Sequence, residues 1–236
     1  MSDLPFRPQR VLAIGAHPDD VEFYAGATLV RLRAEGAHTV LVVASDGGMG
    51  GRGLADAAAV RRAEQARAAE ALGVAEWSWL GHPDGALAPG DPLRGDLVRA
   101  VRRHRPELVL THDPRTLWTA FGGVAHPGHS DHRATGQAVL DAIYPRSVSP
   151  NFYPEQLAGG DALKPWYPRE VWLFDTTLPD LRVDASTHFA AKEASLAAHA
   201  SQEAVAGGLL AAARGIGEHW GAAGAPAEAF VRLRLY

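Results

Sequence analysis

Short, almost unbroken apolar runs alternate with stretches in which apolar residues return at helical spacing, from about residue 11 to residue 143. The run Val11 to Ala16 has the length of a buried strand and stops abruptly at His17-Pro18-Asp19-Asp20. Phe23, Ala27, Val30 and Leu32 predict a helix over Val21 to Glu35, with Gly36 as its stop. Thr39 to Ala44 is a second apolar strand, followed by the glycine-rich loop 45–53. A helix over Ala57 to Leu72 ending at Gly73, a strand over Glu76 to Leu80, a helix over Leu93 to Arg105 and a strand over Leu108 to Thr111 follow. Residues 112–129 are read as a long structureless loop, which in a compact domain is usually functional. A helix starts near Ser130 and runs to Ile143.

The remainder is less regular. Residues 144–169 are rich in proline and aromatics and read as a loop excursion. Glu170 to Asp175 and Leu181 to Val183 read as strands, Ser186 to His199 and Gln202 to Ile216 as helices, and Ala229 to Leu235 as a closing strand. Strands separated by helices of this length predict right-handed βαβ units. The expected fold is therefore α/β and Rossmann-like: one domain over 1–236 with a doubly wound, mostly parallel sheet and helices on both faces. Residues 1–9 form an N-terminal extension.

Composition narrows the function. At 236 residues and 47% hydrophobic content the chain fills one large core. Lys+Arg 23 against Asp+Glu 27, with no basic run interleaved with aromatics, disfavours nucleic acid as a partner. There is no cysteine, so a metal has to be held by His, Asp or Glu. MSDLPFRPQR has no signal-type apolar segment and no later run approaches the ~18 apolar residues of a membrane helix. A soluble cytoplasmic protein is expected.

Two clusters carry the chemistry. His17, Asp19 and Asp20 stand at the carboxyl end of the first strand, where ligands of open α/β sheets bind. His129 and His132 lie three apart at the start of a helix after the fourth strand, so their side chains fall on neighbouring positions of its first turn. His17, Asp20 and His132 make a two-histidine, one-carboxylate set that suits hydrolytic zinc and leaves a position for water. Asp19 is then free to act as a general base. The same set also suits non-haem Fe(II), although a free base beside it favours hydrolysis. The strand-helix turn lacks the G-x-G-x-x-G of a dinucleotide site.

Ala16-His17-Pro18-Asp19-Asp20 together with Gly128-His129-Ser130-Asp131-His132 resembles the paired signature of the PIG-L/LmbE-like family of zinc-dependent N-acetylglucosamine deacetylases. The likeness extends to Asp46-Gly47, Arg61 or Arg62 with Glu64, Pro83-Asp84-Gly85, and Lys192 followed by His199-Ala200-Ser201-Gln202. It implies His17, Asp20 and His132 as ligands of one Zn2+ per chain, Asp19 as base, His129 as transition-state stabiliser and Asp131 as its orienting partner. Ser130 departs from the proline of many members. Members act on precursors of bacillithiol or mycothiol, on glycolipid anchors, on antibiotic intermediates and on chitin-derived disaccharides, and some are homohexamers. The His-Pro-Asp-Asp-Val-Glu form leans toward the bacterial thiol-precursor, such as N-acetylglucosaminyl malate, or the chitobiose branch. A small N-acetylglucosaminide is the expected substrate, and a non-catalytic sugar-binding descendant the alternative.

Arg52, Arg61, Asp84 and His199 are the expected substrate-side residues, the arginines having a solvated helix face or loop as their other reading. His112 and His126 are further candidates for the cleft, whereas His38, His104 and His219 are expected at the surface.

Overall fold

The computed structural model describes residues 4–51, 53–121, 124–160, 163–203, 208–222 and 224–236. Its centre is a parallel layer formed by β1 (Arg10–Gly15), β2 (His38–Ser45), β3 (Glu76–His82) and β4 (Leu108–His112). Between them run α1 (Asp20–Ala34), α2 (Ala57–Leu72) and α3 (Leu93–His104). The local signals act as read: Asp56 caps α2 by accepting from the Ala59 N–H at 3.0 Å, and Gly73, at φ 65°, ends it.

Residues 112–129 depart from the expectation of a structureless loop. They contain an antiparallel hairpin, β5 (Trp118–Phe121) and β6 (Val124–Pro127), paired only with itself among the described residues. Its strands are four residues each, too short for periodicity to register. The hairpin delivers the chain to α4 (Ser130–Asp141). The stretch 144–169 opens on a kink, where Tyr144 leaves helical geometry at φ −136° and ψ 129° ahead of Pro145, and holds the short α5 (Glu155–Ala158). Then come β7 (Glu170–Phe174), β8 (Leu181–Asp184), α6 (Phe189–Ala197), α7 (Ala200–Glu203), α8 (Leu209–Trp220) and β9 (Ala227–Arg234). The expected second late helix thus lies further along, because apolar residues at helical spacing continue through Ile216 to Trp220.

The main sheet has the order β3-β2-β1-β4-β7-β9-β8. β1 pairs in parallel with β2 and β4, and β4 with β7, whereas β9 is antiparallel to both β7 and β8. Alternate residues of β1 feed two cores. Val11 and Ala13 pack with Val21, Ala25 and Leu29 of α1, and Leu12 and Ile14 pack with Leu97 and Val101 of α3 and Ala138 and Val139 of α4. Helices therefore cover both faces of a mostly parallel sheet, the doubly wound arrangement expected. Chain order reverses between β1 and β4, which opens the crevice at their carboxyl ends. Among the described residues no helix is long and apolar enough to cross a membrane.

Candidate metal centre

Both histidine motifs reach this crevice. Gly15 ends β1, and the backbone N–H of His17 donates to Asp20 Oδ2 at 2.7 Å, closing the turn that starts α1. Asp20 sits among three imidazoles: its Oδ1 is 3.1 Å from His132 Nε2, and its Oδ2 is 3.1 Å from His112 Nε2 and 3.5 Å from His17 Nδ1. Burial alone raises the pKa of such a carboxyl; His132 and His112 overcome that and hold it well below the ordinary range.

Close packing of α4 on β4 brings His132 there. A side chain at Gly136 would run into the carbonyl oxygen of His112, so only glycine lets the helix approach this near. The two rings stack with centroids 4.0 Å apart. His132 Nδ1 donates to Asp175 Oδ2 at 2.9 Å, which fixes the tautomer and turns Nε2 toward Asp20. Against the cost of burial, Asp20 and Asp175 raise the pKa of His132 to about 9.

Asp19 is held differently from its neighbour. Its backbone is left-handed, at φ 90°, and its N–H donates to Gln65 Oε1 at 3.3 Å. That conformation sends its carboxylate to Arg61, whose Nη2 donates to Oδ2 at 3.3 Å. Burial pushes the carboxyl up to about 6 although Arg61 opposes the shift. Arg61 is buried, not solvated, and also donates to the carbonyls of Pro18 and Gly47. Arg62 is the exposed one of the pair.

Asp84 lies 3.1 Å from His17 Nε2, with its other oxygen accepting from the Met49 N–H at 3.0 Å. Asp131 also turns to His17: its carboxylate is 3.4 Å from Nε2 and accepts from the Gly85 N–H at 2.8 Å. The expected carboxylate partnership between Asp131 and His129 is not formed. Instead the Asp131 backbone N–H donates to Nδ1 of His129 at 3.1 Å, because His129 is itself the N-cap of α4. This leaves the hydrogen of a neutral His129 on Nε2. Burial, then the charges of His17 and His132, lower its pKa.

The remaining candidates separate. His199 is fully buried, 3.9 Å from Glu22 Oε1, so it backs the site and does not line it. His126 is exposed. Arg52 lies outside the described residues. His112 and Asp175 belong to the cluster more closely than composition suggested: both stand at carboxyl ends of strands adjacent in the sheet, and that position was their only signal.

A cation fits this donor set. Against the cost of burial, the nearby carboxylates of Asp131, Asp20 and Asp84 raise the pKa of His17 to about 12, so the carboxylates around it call for positive charge. Its Nε2 is buried without an aligned hydrogen-bond partner. His17, His129 and His132 present nitrogens within 4.8 Å of one another, and so do the donor atoms of Asp20, His112 and His132. Tetrahedral N and O ligands at ~2.0 Å stand about 3.3 Å apart, close to the 3.1 Å from Asp20 Oδ1 to His132 Nε2, whereas His17 Nδ1 stands 3.5 Å from the other carboxylate oxygen, Oδ2.

The family described as GlcNAc-PI de-N-acetylase, PIG-L, matches residues 12–143, the stretch that holds both histidine motifs. The chain belongs to the PIG-L family. A PIG-L relative, the diacetylchitobiose deacetylase of Thermococcus kodakarensis, is 32% identical over 82% of this chain and 70% of its own length. The 1D-myo-inositol 2-acetamido-2-deoxy-alpha-D-glucopyranoside deacetylase of Thermobifida fusca is 28% identical over 89% of each chain. Among solved structures, the N,N'-diacetylchitobiose deacetylase of Pyrococcus horikoshii, complexed with its inhibitor MPG, superposes with a TM-score of 0.82 at 28% identity, over 96% of this chain and 84% of that one.

Proposed function

We propose that this PIG-L chain is a zinc-dependent N-deacetylase acting on a small N-acetylglucosaminide built of two rings. The observation that carries this reading is the division of labour between adjacent carboxylates: Asp20 is enclosed by imidazoles, whereas Asp19 is turned aside by its left-handed backbone and held by Arg61. A site that only bound sugar would not need a second carboxylate set apart in this way. The names of the relatives support the substrate class, since both join N-acetylglucosamine or its equivalent to a second ring.

In this reading His17, Asp20 and His132 hold the zinc. When bound, zinc polarises the acetamide carbonyl and makes water easier to deprotonate. Asp19 accepts the proton of the attacking water, and its raised pKa suits a base working near neutrality. His129 donates from Nε2 to the oxygen on which negative charge develops. The proton held by Asp19 then goes to the leaving amine. Arg61 and Asp84 position Asp19 and His17 from behind the reacting groups.

The test is acetate release from diacetylchitobiose and from the inositol glucosaminide by zinc-loaded wild type and Asp19→Asn, with bound metal counted in both. Acetate from the wild type, and at least 10²-fold less from a variant that keeps one zinc, is the expected result. Absence of acetate from every substrate at full zinc occupancy overturns the reading.

A further inference from the structure

Helix α2 grips the peptide that joins Pro18 to Asp19 at both of its polar edges. Arg61 Nη2 donates to the Pro18 carbonyl at 2.8 Å, and Gln65 Oε1 accepts from the Asp19 N–H at 3.3 Å. Arg61 and Gln65 are four residues apart in the helix, so they project from one face of it, about 6 Å apart along the axis. Both are buried. We infer that Gln65 is a positioning residue for Asp19: together with Arg61 it fixes the backbone angle that turns the Asp19 carboxylate away from α1.

One bond decides where that carboxylate goes. The angle φ is a rotation about N–Cα. On one side of this bond lies the planar peptide, whose C=O and N–H are held by Arg61 and Gln65. On the other lies the side chain, whose Oδ2 accepts from Arg61 Nη2 at 3.3 Å. Contacts on both sides pin φ, which stands at 90°. An aspartate at a helix N-cap ordinarily takes an extended backbone and folds its carboxylate onto the N–H groups of the first turn. Asp19 is the N-cap of α1 and makes no such bond. Without a grip on its N–H it would relax toward the ordinary cap and carry the carboxylate with it.

Gln65 is itself held in one orientation. Its Nε2 donates to Glu22 Oε1 at 2.6 Å, and a carboxylate offers only acceptors, so the amide does not reverse and its oxygen is left facing Asp19. Glu22 is buried in turn, with His199 Nε2 behind it at 3.9 Å from the same oxygen.

That Asp19 is a base rests on the deacetylase reading, whereas the grip on its backbone does not. The test compares zinc-loaded wild type, Gln65→Met and the swapped pair Glu22→Gln with Gln65→Glu. Methionine keeps the length of the side chain without its amide, and the swapped pair restores an acceptor to Asp19. Hydrogen exchange of the Asp19 amide is followed by NMR, bound zinc is counted, and kcat and KM are measured on diacetylchitobiose. The wild-type amide is expected to be protected and to exchange at least tenfold faster in Gln65→Met. The same variant should lose about 10²-fold in kcat, as misplacing a reacting group by ~1 Å can do, with KM and zinc content unchanged. The swapped pair should recover the protection and most of kcat. A role in folding alone would lower the yield of folded protein or its zinc and leave kcat per bound zinc as it was. That outcome overturns the inference, and so does an unprotected Asp19 amide in the wild type or in a folded swapped pair. If Gln65→Met yields no folded protein, the wild-type amide and the swapped pair decide by the same criteria. If the amide behaves as expected while no substrate yields acetate, the deacetylase reading falls and the grip on Asp19 stands.

Discussion

Asp175 binds the far nitrogen of His132: Nδ1 donates to Oδ2 at 2.9 Å while Nε2 of the same ring stands 3.1 Å from Asp20. A carboxylate behind a histidine ligand fixes which nitrogen is free and makes it more basic, and removing such a partner typically costs ~10–100-fold in metal affinity. Asp175→Ala is therefore expected to bind zinc about 10–100-fold more weakly in competition with a chelator, and to recover most of its kcat at saturating zinc. Unaltered zinc affinity would remove Asp175 from the centre.

The left-handed backbone of Asp19 is a strain that a side chain tolerates poorly. Such a residue costs of the order of 1–3 kcal/mol, and glycine adopts the conformation freely. The buried carboxylate adds to the cost, as its raised pKa shows. Asp19→Gly should thus raise the thermal midpoint of the zinc-free protein by a few degrees and abolish deacetylation. A lower midpoint would mean that the Arg61 contact outweighs the strain.

Arg102 organises the segment after α4. It is 1% exposed, and its guanidinium donates to the carbonyls of Arg146, Ser147, Ser149, Phe152 and Tyr153 and to Gln156 Oε1. Arg102→Met keeps the stem but leaves those acceptors without their donor, at about 1–3 kcal/mol for each that water does not reach. The variant is expected to lose at least about 3 kcal/mol in urea unfolding, with amide exchange accelerating first over 144–158. Exchange that rises evenly over the whole chain would contradict this local role.

Glu170 joins β7 to β9. It accepts from Arg232 Nε and from Trp172 Nε1, both at 2.8 Å. Burial would raise its pKa, but the bonds from Arg232 and Trp172 hold it below the ordinary 4.5. A carboxyl depressed in the folded state stabilises the fold above its unfolded pKa, and that contribution fades as pH falls through the lower folded value. Glu170→Gln should melt below wild type at pH 7, and the gap should close as pH drops below about 4. A gap of constant size down to pH 3 would show that ionisation of Glu170 is not its source.

Strand and helix alternation, the doubly wound class and both histidine motifs were legible in the chain, because buried parallel strands are continuous apolar runs and their polar ends are abrupt. The pairing of Asp131 with His17, the inward turn of Arg61 and the hairpin at 118–127 were not. Each depends on contacts between residues far apart in sequence or on strands too short to show a period. Local order is written in spacing, so the nearest-neighbour identity of His17, Asp19 and Asp20 sufficed to mark a site. Which groups surround them followed from the order of strands in the sheet, which places β4 beside β1 and β7 beside β4 and so carries His112 and Asp175 to the same edge. Chain spacing holds no record of that adjacency, since it is packing of helices on both faces that selects the strand order.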